Sequence, residues 1–320
     1  RGRPQPRSPE MSDAPAPAPA PEPQAAPPSE HTRPLGGAKF MTEPEPPYGV
    51  PLPVVPGIWR VVANNPSPMT YHGTNTYLIE ADDGMTVLDP GPPDDAAHVA
   101  AVLAAAGGGI RRILLSHGHR DHVGATAALK AASGAPVYGF RPSLQPDLEI
   151  DHPLAEGDEV AGLTVLHTPG HAPDHLCFVR GASILTGDHV MTWSTSVVAP
   201  PSGDMTAYMA NLRRLVPRED RWLLPGHGPL LGRPTAYLRA LLAHRVQREK
   251  AIFAALKPQP VSLNDLTEII YRGISPRLRV AAERNLLGHL LKLEHEGRAR
   301  REGDLWCRPI VPAGGLPTPN

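Results

Sequence analysis

The densest chemistry in the chain lies at residues 116–125, SHGHRDHVGA, where His117, His119, Asp121 and His122 fill four of six consecutive positions. They follow an apolar run, Ile113 to Leu115, of strand character. Such a density of ligand-type side chains is not core composition. His117 and His119 are two residues apart, so an extended turn lets them face the same way and hold one metal ion. Asp121 and His122 are adjacent and diverge, so they can serve a neighbouring ion while a helix over Val123 to Ala132 fixes their backbone. Neutral imidazoles and carboxylates without cysteine suit zinc, with iron or manganese as alternatives.

Further candidates recur where apolar strands end. His171 lies in TPGHAPDH, where Pro169 and Gly170 force a turn that can aim an imidazole. Asp188, in LTGDH, follows a buried strand, where a carboxylate is costly unless paired or metal-bound. His227, in LPGHGP, is presented by glycines after another apolar strand. Asp89, closing MTVLD, either orients a ligand as a supporting carboxylate or ends its strand. His167 reads as a strand residue, Asn75 as a turn former, Ser194 to Ser196 as a polar loop, and Trp59 and Trp193 as packing residues.

The elements that must position these groups are legible in outline. Strands are expected at Ile58–Ala63, Thr76–Glu80, Met85–Asp89, Arg111–Leu115 and Ala135–Gly139, with an alanine-rich helix over Asp95–Ala106 stopped by Gly107 to Gly109. From Asp158 the pattern turns antiparallel, through Leu163–His167, His175–Arg180 and Ser183–Thr186, before Leu223–Pro225. This order points to a layered α/β domain. Residues 1–50 hold many of the 41 prolines, including the Ala-Pro alternation from Ala14 to Pro21, and are expected to stay disordered. Met11 and Met41 could each initiate.

At 320 residues the chain has room for one substantial domain and a smaller one. A net charge of −1 gives no global signal for nucleic acid or membrane. Cys177 and Cys307 are too few and too distant for a disulfide framework or a thiolate metal site. No apolar run is long enough to span a bilayer and no signal-peptide pattern opens the chain, so a cytoplasmic enzyme is expected.

Taken together, SHGHRDH, TPGH, TGD and PGH resemble the metallo-β-lactamase superfamily, over roughly residues 54 to 250. The resemblance implies an αββα sandwich with two metals at one edge. One ion would take His117, His119 and His171, the other Asp121, His122 and His227, with Asp188 bridging beside a water or hydroxide. NPSPMTYHGTNTYLI, HRDHVG, TPGHAPDHL and PGHGPLL followed by AHRVQRE are similar to the β-lactamase-like protein 2 group, which joins this fold to a C-terminal winged helix. The expected division is a tail at 1–50, a catalytic domain at 51–250, a winged-helix-like domain at 251–310 and a flexible tail at 311–320. Within the last domain, helices are expected at Leu263–Tyr271, Leu278–Glu283 and Leu286–Glu296, and a β-wing at Gly297–Trp306.

The function implied is that of a dinuclear zinc hydrolase attacking an electrophilic centre with metal-activated hydroxide. Asp121 is the candidate to orient the hydroxide or shuttle its proton. His175, beside Asp174, is the candidate to protonate a leaving group or bind phosphate, with a hydrogen-bonded strand histidine as the alternative; His189 faces the same choice. Between Arg233 and Arg308 fifteen Lys and Arg stand against eight Asp and Glu, with Arg298, Arg300 and Arg301 clustered in the wing. That excess favours single-stranded RNA as substrate. The alternatives are a small-molecule ester or thioester, and an inactive nucleic-acid-binding protein.

Overall fold

Alternation along the strands decides the architecture. In Asn75–Ala81, Tyr77 and Ile79 point to one face and Leu78 to the other, and all three are buried, so both faces need cover. The computed structural model describes residues 39–107 and 109–309, and among these the cover is supplied by a second sheet on one side and helices on the other.

The first half runs β1 (Leu52–Val55), β2 (Ile58–Val62), β3 (Asn75–Ala81), β4 (Gly84–Leu88), α1 (Ala96–Ala105), β5 (Ile110–Leu114), α2 (Arg120–Val123), α3 (Thr126–Ser133), β6 (Val137–Gly139) and β7 (His152–Pro153). Its strands form one sheet in sequence order, antiparallel up to β4 and parallel from β4 onward. The second half runs β8 (Glu159–Val160), β9 (Leu163–His167), β10 (Leu176–Arg180), β11 (Ser183–Gly187), α4 (Met205–Leu215), β12 (Trp222–Pro225) and β13 (Leu231–Gly232). Its sheet has the order β13-β12-β11-β10-β9-β8, parallel at the β11–β12 pair.

The sheets face each other across Tyr77, Ile79, Leu114, Leu176, Phe178 and Leu224. On the outer face of the first sheet, Leu78, Val87 and Ile113 pack on Val102 of α1 and Leu129 of α3. On the outer face of the second, Cys177, Ile184 and Leu223 pack on Tyr208 and Leu212 of α4. The expected αββα sandwich is therefore observed, layer by layer.

The chain continues through α5 (Thr235–Ala255), β14 (Val261–Ser262), α6 (Leu263–Ile270), α7 (Pro276–His295), β15 (Arg300–Glu302) and β16 (Leu305–Cys307), with the strands ordered β14-β16-β15. Trp306, Leu266, Leu290 and Leu293 form the small core of this winged-helix unit. Helix α5 belongs to both units: Leu238 and Leu241 pack on the sandwich, Ile252 in the winged-helix core. A boundary at residue 250 therefore falls inside one continuous helix.

Three expectations need correction. The helix foreseen over Val123–Ala132 is two, because Ala125 N donates to Gly91 O instead of continuing the helical ladder, and Gly124 packs where a Cβ would lie 2.3 Å from Pro93. The two helices foreseen between Leu278 and Glu296 are one, since no glycine or proline breaks Arg284–Asn285; the polar Asn285 that interrupts the apolar pattern is buried. Residues 39–50 are not loose. Met41 N donates to Thr192 O at 2.9 Å, and Glu43 pairs with buried Arg60 at 2.7 Å. Residues 1–38 and 310–320 lie outside the described residues. Among those described, no helix is long and apolar enough to cross a membrane.

Phe178 touches both sheets and is fully buried. Phe178→Ala is expected to cost about 3–5 kcal/mol of stability, read as a lowered urea midpoint; a loss below about 1 kcal/mol would contradict the inter-sheet packing.

Candidate metal centre

The parallel pairs β4/β5 and β11/β12 end at the same edge of the sandwich, and the loops that leave them carry the candidate ligands. The loop after β5 supplies Ser116 to His122, the turn between β9 and β10 supplies His171, and the loops after β11 and β12 supply Asp188 and His227. Two glycines permit this convergence. A Cβ on Gly226 would sit 2.6 Å from Asp188 Oδ1 and 2.8 Å from His122 Cε1. Gly187 has φ 45°, and a Cβ there would meet His175 Nε2 at 2.8 Å.

All seven expected ligand residues meet in three overlapping groups: His117, His119, His171; His117, His122, Asp188; and Asp121, His122, His227. His119 Nδ1 lies 2.9 Å from both His117 Nε2 and His171 Nε2. His122 Nε2 and His227 Nε2 are 3.2 Å apart, with Asp121 Oδ2 3.2 Å from His227 Nε2. Asp188 spans the two groups. Its Oδ1 is 3.4 Å from His122 Nε2 and 3.5 Å from His227 Nε2, and its Oδ2 is 3.6 Å from His171 Nε2.

Four of these histidines are oriented through the ring nitrogen that faces away from the centre. His122 Nδ1 donates to Asp89 Oδ2 at 2.8 Å. His117 Nδ1 contacts Ser116 Oγ at 2.9 Å, and Ser116 Oγ donates to Asp89 Oδ2 at 2.7 Å. His171 Nδ1 donates to Val197 O at 2.7 Å, and His227 Nδ1 to Gly73 O at 3.2 Å. In each, Nε2 is left to face the centre, the arrangement that fixes tautomer and raises ligand basicity in metal sites. Asp188 Oδ1 is buried without a hydrogen-bond donor of its own, which a divalent cation would satisfy. The donor set therefore fits metal ions.

The electrostatics agree. Burial opposes charge on His227, yet Asp188 and Asp121 outweigh it and hold its pKa up to about 9. His122 is likewise held well above its ordinary value, against burial, by Asp188, Asp121 and Asp89. Burial, reinforced by neighbouring imidazoles, pushes His117 well down and His119 to about 4. Asp188 and Asp121 are depressed despite burial by His122 and His227.

The remaining candidates separate by position. Asp121 keeps its side chain 31% exposed against 9% for Asp188, so of the two carboxylates it is the one that meets solvent. His175 is fully buried beneath the centre: Nε2 accepts from Asp188 N at 3.2 Å and Nδ1 contacts Thr168 Oγ1 at 2.9 Å. Burial and then His189 hold it well below its ordinary pKa, so it is a neutral support for the Asp188 backbone. Asp174 pins Leu144 N at 2.7 Å. His189 packs against Tyr208, 4.8 Å between rings, and burial keeps it neutral with a pKa of about 3. His167 stacks on Phe140 outside the centre. Asn75 Nδ2 donates to Pro225 O and Gly228 O, both at 2.9 Å, and so braces the His227 loop. Trp193 stacks on Tyr71 with centroids 5.0 Å apart and lines a cleft beside the candidate centre, a role its isolation in sequence concealed. Ser116 and Val197 carried no signal of their own; one is a small residue inside a ligand motif and the other acts through its backbone.

Residues 69–146 match the model of the metallo-β-lactamase superfamily, and residues 262–306 that of the β-lactamase-associated winged helix domain. A Drosophila melanogaster protein named β-lactamase-like protein 2 homolog is 32% identical over 263 residues, 75% of this chain and 89% of its own length. A Claviceps purpurea protein named atrochrysone carboxyl ACP thioesterase is 29% identical over 238 residues, 68% of this chain and 73% of that one. The crystal structure of a β-lactamase domain protein from Burkholderia ambifaria shares the fold with a TM-score of 0.72 at 22% identity, covering 82% of this chain and 96% of its own.

At pH 7 the raised His122 and His227 carry protons that a metal ion must displace, because only neutral imidazole ligates. Below about pH 9 proton competition at His227 is present and above it absent. Zinc affinity is expected to rise from pH 7 to 9, by about tenfold per unit for each proton displaced, and then to level off. Chelator competition across this range checks it; a flat profile would contradict the protonated pair.

Proposed function

The chain belongs to the metallo-β-lactamase superfamily, among proteins of the β-lactamase-like protein 2 type, and from this membership and the site's geometry we propose that it is a dinuclear zinc hydrolase of acyl thioesters. His117, His119 and His171 would hold one ion and Asp121, His122 and His227 the other, with Asp188 between them. When bound, the ions acidify a water towards neutral pH and stabilise negative charge on the attacked carbonyl oxygen.

The chain's own residues do the rest. Asp121, ionised and facing solvent, accepts a hydrogen bond from the attacking water and orients it. His175 holds the Asp188 backbone and moves no proton, since it stays neutral and has no access to substrate. Asp89 and Ser116 keep His122 and His117 in register.

The observation that carries the substrate class is the cleft beside the centre. Met69, Met191, Trp193, Val197, Ile274 and Leu278 line a space of about 130 Å³ between the sandwich loops and the winged-helix unit. That is close to the roughly 150 Å³ of a cavity that takes up benzene, so the cleft, which opens to solvent and is edged also by Ser194, Thr195 and Asn285, has room for a ring-sized acyl group. The relative named as an acyl-carrier thioesterase is consistent with this reading. The RNA phosphodiester reading, which rests on the basic excess of the last unit, has less unpaired charge to draw on in the wing itself. Arg298 pairs with Glu249 at 3.2 Å and Glu296 at 2.9 Å, Arg300 with Glu302, and Arg301 with Asp304 at 3.7 Å. Their charge is partly neutralised within the unit.

Zinc-loaded protein and its Asp121→Ala variant, assayed in parallel on thioesters of graded acyl size and on fluorescent single-stranded RNA, test the proposal. Thioester turnover should fall about 10²–10⁴-fold in the variant. RNA cleavage lost in the variant, with no thioester turnover by the parent, would overturn the substrate assignment. Trp193→Ala should flatten the preference among acyl groups by about tenfold or more, seen in kcat/KM; an unchanged preference would move the acyl group out of the cleft.

A further inference from the structure

The loop that follows Asp188 returns to the centre at Val197, whose carbonyl accepts the Nδ1 proton of His171 at 2.7 Å. That carbonyl and the N–H of Val198 belong to one planar peptide unit, so fixing either end fixes both. Val198 N donates to Asn285 Oδ1 at 3.0 Å. Asn285 sits on α7, in the winged-helix unit, and is buried. The preceding peptide is held as well: the Ser196 carbonyl accepts from Arg245 Nη2, on α5.

The two residues also fix each other. Arg245 Nη1 donates to Asn285 Oδ1 at 3.3 Å, and Asn285 Nδ2 donates to Ala281 O at 3.1 Å, so the amide has one orientation. Arg245 is 3% exposed and lies over the Tyr208 ring at 5.1 Å. A guanidinium buried so deeply is held in place by packing on all sides. Asn285 lines the cleft and neither residue is among the candidate ligands; both reach the centre through the peptide of Val197.

We propose that Asn285 and Arg245 are positioning residues for the metal centre, so that docking of the winged-helix unit sets the tautomer and aim of His171. The hydrogen bond that Val198 N–H gives to Asn285 polarises the same peptide's carbonyl towards His171 and strengthens the second bond. The inference rests on His171 being a ligand and is independent of the substrate. By linkage, zinc at the His171 ion tightens the docking of α7 as much as docking tightens zinc.

The test measures the two zinc affinities by chelator competition, without substrate, in the parent, Asn285→Leu, Asn285→Asp, His171→Ala and the His171→Ala/Asn285→Leu double variant. Urea midpoints of the metal-free proteins confirm that each is folded at the assay temperature. Asn285→Leu, near in size but without an acceptor, should weaken one ion about 10- to 100-fold and leave the other within about threefold. Asn285→Asp keeps the acceptor towards Val198 and should bind within about threefold of the parent. The double variant should bind no more weakly than His171→Ala alone, because the effect runs through His171. Unchanged affinities in Asn285→Leu, equal weakening in Asn285→Asp, or additive losses in the double variant would each overturn the proposal. Parent affinities unaffected by His171→Ala would overturn the ligand assignment and the proposal together.

Discussion

A buried carboxylate is tolerated only where donors surround it, and Asp89 shows what that requirement organises. At 2% exposure it accepts from Ser116 N and Ser116 Oγ, each at 2.7 Å, and from His122 Nδ1 at 2.8 Å. Through the Ser116 hydroxyl it reaches His117, so one carboxylate orients a histidine in each half of the centre. The residue has φ 55°, a left-handed conformation with a strain of order 1–3 kcal/mol. Three hydrogen bonds over-determine it there, and the turn it makes carries the chain from β4 to α1 without blocking the ligand loop.

Around this anchor the rest of the fold holds loops rather than elements. The ligands come from both sheets, and their spacing depends on how segments far apart in sequence pin those loops. Asn75 and Tyr77, on β3, hold the carbonyls of the His227 turn, with Tyr77 Oη donating to Pro225 O at 2.8 Å. Residues 41–43 bond to Thr192 and Arg60 and pass over the first loop, where Tyr71 Oη donates to Glu43 O at 3.3 Å. On the opposite side, α5 and α7 grip the loop that orients His171. The winged-helix unit is thereby a wall of the cleft and a brace for the centre.

The same unit shows how local pairing distributes a charge that composition gives only in total. Fifteen basic against eight acidic residues suggest a phosphate-binding face, but the field at a surface depends on which charges remain after local pairing. Lys292 pairs with Glu249 and Glu296, and Arg279 with Glu268 and Glu283. Arg298 and Arg308 lie over Phe253, and Arg301 over Trp306. These contacts tie the acidic residues to particular partners, while the net basic excess of the unit, fifteen against eight, is unchanged by them.

The seven candidate ligand residues, which the fold brings together, stood out in the sequence because their constraint is local: imidazoles and carboxylates at fixed short spacing, presented by glycines at strand ends. The strand and helix order by itself reached a layered α/β domain, and the αββα arrangement came from the family resemblance that the ligand motifs carry. Tertiary structure alone decided the rest. The amphipathic helix Met205–Leu215 went unforeseen, and the interruption at Gly124 depends on a carbonyl at Gly91. Sequence leaves His175 open between a proton donor and a hydrogen-bonded strand histidine, and its burial beneath Asp188 favours the second; Asn285 interrupts an apolar helical pattern because its partner is a peptide 87 residues earlier. Backbone acceptors such as Val197 O leave no mark on side-chain identity. Ligand chemistry is a property of residue types in order, whereas orientation and neutrality are properties of what the fold brings alongside them.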